Sequence, residues 1–181
     1  MTRGLWGRET VALLLVVACL PLAGAWLWYG GLAALGRLGL AALVLLIWNL
    51  VFLLVRAQPP SLASVITALA VAMLAPEGLG VFRLALGLSF GAVMGELVFG
   101  GWGRNVVSPA TVALSFLGFG FPGLGWPDFV IPVAWAAIPT LLLGVGLGVM
   151  PAGIIMGAAG IGALAVLGDL LPMAVLPAAT I

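Results

Sequence analysis

The chain has 181 residues, 65% of them hydrophobic and 6% charged, with a mean hydropathy of +1.37. No water-soluble core of this length needs so much apolar surface, so composition indicates an all-α, polytopic integral membrane protein. A net charge of +1 leaves no basic patch for nucleic acid, and a lone cysteine with no histidine excludes an internal disulfide, a thiolate cluster and a histidine-ligated zinc or haem.

Taken in order, the apolar segments lie near 10–29, 38–55, 62–75, 81–99, 106–121, 129–149 and 152–171, which predicts six to seven membrane segments in one domain spanning 1–181. Arg3 and Arg8 precede the first, and Ala23-Gly24-Ala25 resembles a small-residue cleavage site. The apolar stretch nevertheless runs on through Trp26, Leu27, Trp28 and Tyr29, as a first membrane helix with an aromatic belt would, not a removed signal peptide. Pro59-Pro60, Pro76, Pro122, Pro127 and Pro151 punctuate the series, because proline cannot continue a helical ladder. The segments 62–75 and 106–121 are short, roughly 21 to 24 Å at 1.5 Å per residue against about 30 Å of hydrocarbon. They read either as discontinuous or re-entrant helices lining a midplane site, or as thin, tilted ordinary spans.

All six basic residues are arginines. A cytoplasmic N-terminus with every segment crossing puts Arg3, Arg8, Arg56 and Arg104 inside, and Arg37 and Arg83 outside. That arrangement is the expected orientation.

Glu96 is the sharpest polar candidate, because it lies in an apolar run, where a charge costs about 2.5 to 3.5 kcal/mol at mid-membrane. It reads as a cation or proton site, or as an interfacial carboxylate paired with Arg104 or Arg83. The turn Gly100-Gly101-Trp102-Gly103 permits positive φ and close backbone approach. Asn105 and Ser108 could cap the next helix, or that helix N-terminus could hold an anion such as a flavin phosphate. Ser61, Ser64 and Thr67 share one face of the first short segment, as a polar stripe beside Glu96 or as helix-packing hydroxyls. Asn49 reads as a helix-to-helix hydrogen bond, Trp48 and Trp135 as packed rather than interfacial, and Asp128 and Asp169 as interfacial charges. Gly144, Gly146 and Gly148, with Gly153, Gly157 and Gly160, supply small-residue packing faces.

Residues 64–122 carry a family-like pattern. It comprises Val65-Ile66-Thr67-Ala68-Leu69, Pro76, Gly95, Val98-Phe99-Gly100-Gly101, Gly103, Asn105, Pro109-Ala110 and Phe119-Gly120-Phe121-Pro122, in order and at kept spacing. This resembles the B subunit of sodium-translocating NADH:quinone oxidoreductase and the homologous D subunit of Rnf complexes. There, a Gly-Lys-Glu-Val-Phe-Gly-Gly-x-Gly-x-Asn block is followed by Asn-Pro-Ala. Here the family's Lys is Glu96, its Glu is Leu97 and its Asn before Pro-Ala is Ser108, so a charge role does not carry over intact. The family's flavinylated threonine, in a Ser-Gly-Ala-Thr segment, has no counterpart in Gly123-Leu124-Gly125-Trp126-Pro127-Asp128, so covalent FMN is not expected.

The resemblance implies one of the two repeats of a fold also seen in urea transporters, in a bacterial inner membrane. It implies an accessory or structural subunit of a redox-driven electron-transport complex, packed in the bilayer against other subunits or a second copy. A non-covalent flavin or quinone could sit near Thr67, Ser64, Glu96, Asn105, Ser108 and the glycine turn, with no metal. Two other classes fit the same residues: a homo-oligomeric channel for a small solute or cation, with Glu96 lining the pore, and a scaffold or assembly subunit.

Overall fold

The computed structural model describes residues 7–56, 62–76, 78–101, 104–127 and 135–149, all helix, turn or loop. Helix α1, Arg8–Arg56, is a run of 49 residues broken at Gly31, whose φ of 56° and ψ of −141° no helix contains. Straight, it would be about 70 Å long at 1.5 Å per residue. Instead the Glu9 carboxylate accepts a hydrogen bond from the Leu62 amide at 3.3 Å, only a short loop beyond the far end of α1. The run therefore folds back at Gly31 into two antiparallel arms, 8–30 and 32–56, each on the order of 35 Å and long enough to cross a bilayer. Glycine suits this bend because its φ is forbidden to most residues, and a Cβ there would meet nothing within 4 Å. These arms are the first two predicted segments.

The remaining elements are α2 (Ala63–Leu74), α3 (Val81–Ala92) with a π-helical turn (Val93–Leu97), α4 (Pro109–Gly120) and α5 (Ala137–Gly146). Helices α2 and α4 have 12 residues each, about 18 Å, so the predicted shortness of segments three and five holds. Helix α5 falls in the sixth segment, and the seventh, 152–171, lies outside the described residues with its glycines and Asp169. Asp128 and Ser61 lie outside them as well.

Side-chain contacts sort the ends. Arg37 donates to the Ala75 carbonyl at 2.7 Å, which brings the start of the second arm to the end of α2. Arg83, opening α3, lies 5.1 Å from the centre of the Phe121 ring just past α4, a cation–π contact. Glu9 and the starts of α2 and α4 occupy the opposite end. Arg37 and Arg83 thus share one end of the bundle, as the alternating topology required.

The core is built from small and medium apolar residues: Ala41 and Leu45 of the second arm, Val71 and Ala72 of α2, Leu84 and Leu88 of α3, Ala113 and Leu117 of α4. Its tightest seam lies between α3 and α4. A Cβ on Gly87 would fall 2.5 Å from the Leu117 side chain, one on Gly91 2.5 Å from the Ala113 Cβ, and one on Gly95 2.7 Å from the Pro109 Cα. Glycines four apart meet residues four apart, so the two backbones approach as side chains would not allow. Sequence reading placed the packing glycines in the later segments. Of those, Gly144 is buried in α5, a Cβ on Gly146 would meet nothing within 4 Å, and Gly148, with φ 70°, terminates the helix: its amide bonds Val145, and the next amide reaches back to Gly144. Trp48 packs on the core with Phe52, but Trp135, expected to pack, is 66% exposed.

Helix α5 is fastened to the first arm by one buried side chain. The Thr140 hydroxyl accepts the Leu22 amide at 3.2 Å and donates to the Ala136 carbonyl at 3.1 Å. Leu22 follows Pro21, whose ring interrupts the first arm. A hydroxyl from a neighbouring helix is the usual repair for backbone disturbed by proline in a membrane.

Gly91→Ala should destabilise the purified protein by about 1–3 kcal/mol through overpacking, seen as a lowered thermal midpoint in detergent. Gly36→Ala, in helix with open space around the new Cβ, should be neutral or raise it. Thr140→Val should cost about 1 kcal/mol by removing the hydroxyl acceptor of the half-buried Leu22 amide, and hydrogen exchange at Leu22 should speed up.

Candidate functional site

Glu96 sits in the π turn, 4% exposed, between the buried Gly95 and Leu97. The turn buries the face carrying these three residues against α4 and α1, while Met94 stays exposed on its other side. The turn is marked by the Val98 amide reaching back five residues to the Val93 carbonyl at 3.0 Å. Such one-turn widenings concentrate at functional sites.

The helix then stops through its glycines. Gly100 (φ 102°) and Gly101 (φ 89°) are both left-handed. The Gly100 amide bonds the Leu97 carbonyl at 3.2 Å and the Gly101 amide bonds the Glu96 carbonyl at 3.0 Å. This paired closure is a Schellman stop with Gly100 at the left-handed position. The predicted positive φ is therefore present, and its immediate use is to end a helix one turn beyond the carboxylate.

From there the chain returns to α4. Ser108 occupies the N-cap position and Pro109 the first turn, but the Ser108 side chain makes no capping bond; its carbonyl accepts from Val112. Asn105 Nδ2 donates to the Val107 carbonyl at 3.3 Å, holding the approach to α4. The side-chain cap of α4 that Ser108 could have supplied is thus absent, and Pro109 at the first position, with its fixed φ, opens the helix instead. Since Gly95 lies against Pro109, Glu96 stands where the C-terminal end of the α3 run meets the N-terminal end of α4. Opposed helix ends carry partial charges of opposite sign, and discontinuous helices use that meeting point for ions.

Arg83 lies 13 residues before Glu96, about 20 Å along the helix, and is held over Phe121. That overturns Arg83 as the partner of Glu96. Gly103 lies outside the described residues.

The hydroxyls of α2 are positioned differently. Ser64 accepts a hydrogen bond from Asn49 Nδ2 at 3.0 Å, and the same amide donates to the Leu45 carbonyl at 2.8 Å. Asn49 is therefore the predicted helix-to-helix link, and Ser64 its partner. Both line an open groove of about 600 Å³ between the second arm and α2, with Leu38, Ala42, Leu46 and Val65. Thr67 is buried in α2 among Ala68 and Val71. A second groove, about 620 Å³, lies between the end of α2, the outer face of α4 and Trp126. Neither groove is lined by Glu96. Glu96, with Gly100, Gly101 and Ser108, thus lies outside the groove that the Ser64–Asn49 pair lines.

The grooves and the Gly87, Gly91, Gly95 seam were missed at sequence level. A glycine every fourth residue in an apolar run was the available signal for the seam; the grooves had none.

Comparison with known proteins agrees with this arrangement of motifs. B subunits of Na(+)-translocating NADH-quinone reductase from Yersinia pestis and Stutzerimonas stutzeri (strain A1501) are similar to this chain. The first is 37% identical over 75 residues, covering 41% of this chain and 18% of the relative; the second is 33% identical over 91 residues, covering 50% and 22%. The same subunit from Klebsiella pneumoniae is 36% identical over 75 residues, 41% of this chain and 18% of the relative. The chain thus spans about a fifth of the length of the curated relatives it matches. The sequence model of the NQR2, RnfD, RnfE family matches residues 7–130, from the first arm of α1 through the π turn and α4. With more than half of the chain inside that match, this protein belongs to the NQR2, RnfD, RnfE family.

Proposed function

We propose that this chain is a membrane subunit of a redox-driven, ion-translocating complex, accessory in role and without covalently bound FMN. The observation that carries the reading is the buried Glu96 carboxyl at the meeting of two helix ends. A monovalent cation or a proton neutralises such a group, and its release leaves a charge the membrane disfavours. Binding and release at Glu96 would then follow changes elsewhere in the complex. Relatives named as sodium-translocating quinone reductase subunits support the class.

The residues test the cofactor classes unequally. A flavin phosphate does not suit the glycine turn, because the Gly100 and Gly101 amides are spent on Leu97 and Glu96 and a carboxylate lies alongside. An uncharged quinone ring suits the Ser64–Asn49 groove better. Ser64 accepts from Asn49, which leaves its own proton to donate to a carbonyl, and the surrounding wall is apolar. This chain would hold and orient the ring; the electron chemistry belongs to the ring itself.

Glu96→Gln keeps the shape and removes the charge. The assembled complex should retain its subunits while ion movement per electron falls at least tenfold, measured in proteoliposomes; normal pumping would sink the role. In orientation, the end carrying Glu9 and Arg104 would be cytoplasmic. In a Cys19→Ala background, Gly80→Cys should react with a membrane-impermeant maleimide from outside, and Val106→Cys only after the membrane is opened. The opposite pattern would invert the topology.

A further inference from the structure

The turn that ends the α3 run lacks hydrogen bonds that a regular helix would have. In an α-helix the Val98 amide would bond the Met94 carbonyl and the Phe99 amide the Gly95 carbonyl, each four residues back. Here the Val98 amide reaches Val93 instead, Gly100 takes Leu97 and Gly101 takes Glu96. Among the described residues, the Phe99 amide therefore makes no hydrogen bond, and the Met94 and Gly95 carbonyls accept none. Those two carbonyls directly precede Glu96 in the chain. The side chains record the same change of register. At about 100° per residue, a regular helix would turn Leu97 about 160° away from Gly95 and bring Phe99 within about 40° of it. The reverse is seen: Leu97 lies in the core, 4% exposed, and Phe99 is 47% exposed.

A register that forgoes a hydrogen bond persists only where its surroundings hold it. Burial of Leu97 is one hold. Glu96 provides for a second, because a buried carboxylate adjoining two unspent backbone carbonyls is the kind of oxygen set that takes a monovalent metal cation in a broken membrane helix. We infer that this turn is a two-register switch that sets the cation affinity of Glu96. In the widened register the Met94 and Gly95 carbonyls stand open and complete the site with the carboxylate. On closing to regular helix, the Val98 and Phe99 amides occupy both carbonyls, Phe99 turns in, Leu97 turns out, and the cation loses two ligands. A ligand shifts such an equilibrium only by binding one register better, and the two carbonyls supply that difference. A proton needs the carboxylate alone, so the switch responds to a metal cation and not to a proton. The inference rests on the reading of Glu96 as an ion site.

The test uses the protein purified from native membranes in mild detergent, with sodium chloride exchanged for choline chloride at one pH and ionic strength. In a Cys19→Ala background, Phe99→Cys should react with a soluble maleimide at least tenfold faster than Leu97→Cys in sodium, and choline should abolish that preference. In the unaltered chain, hydrogen exchange at the Phe99 amide should slow at least tenfold on the same change of salt, a readout that stands even where Leu97→Cys fails to fold. Glu96→Gln should make both readouts indifferent to sodium. Readouts unchanged by salt, in a complex whose ion movement still depends on Glu96, would overturn the switch and leave the ion site. A response to pH but not to sodium would overturn the metal cation as its ligand. Normal pumping by the Glu96→Gln complex would remove the ion site and the switch together.

Discussion

The structure depends on how closely α3 approaches α4. At Gly87, Gly91 and Gly95 the helix surface is bare backbone, and Leu117, Ala113 and Pro109 fill the space a side chain would take. In a bilayer, lipid contact is as apolar as protein contact, so packing of this kind substitutes for the hydrophobic drive that holds soluble helices together. The seam also has a functional end. Its last contact, Gly95 on Pro109, adjoins Glu96 and sets the start of α4 beside the widened turn. Tight packing and placement of the buried carboxylate are therefore one arrangement seen at two points.

Around that seam, charges absent from α2 are supplied by α1. Helix α2 has no acidic residue in its first turn, no basic residue in its last and no side-chain cap. Glu9 accepts from its N-terminal end, and Arg37 donates to the carbonyl at its C-terminal end. Both signs oppose the helix dipole correctly. One arm of the hairpin thus governs each terminus of α2, and the Asn49–Ser64 bond ties its flank. The short helix is held as a strut between the arms.

Much of this was legible beforehand. Composition led to membrane helices, proline and glycine marked segment ends, and the Gly100-Gly101 pair permitted the positive φ that the structure uses. For Glu96 the apolar run left two places open, a site within the membrane or an interfacial pair, and the fold buries it. What sequence could not supply was partnership. Arg83 and Arg104 were equal candidates for Glu96 until the fold sent Arg83 to the far end over Phe121. Ser64, Thr67 and Glu96 appeared to share a site because each is polar in an apolar stretch, yet Ser64 is engaged by Asn49 across a different interface. Trp135 was expected to pack because it lies deep in a segment by count, but it stands exposed just before α5. Such pairings depend on the angle each helix presents, and apolar runs without a polar stripe leave that angle unwritten.

Gly31 has a consequence for how the chain enters a membrane. The arms on either side differ little in length, and a single backbone conformation decides whether the second retraces the first or continues away from it. During synthesis the two arms would leave the ribosome as one long hydrophobic stretch, with the turn at Gly31 directing the second back along the first. A side chain that forbids that conformation would do more than strain a bend. It would keep the second arm from lying back along the first, and with it the pairing by which Glu9 and Arg37 hold the two ends of α2.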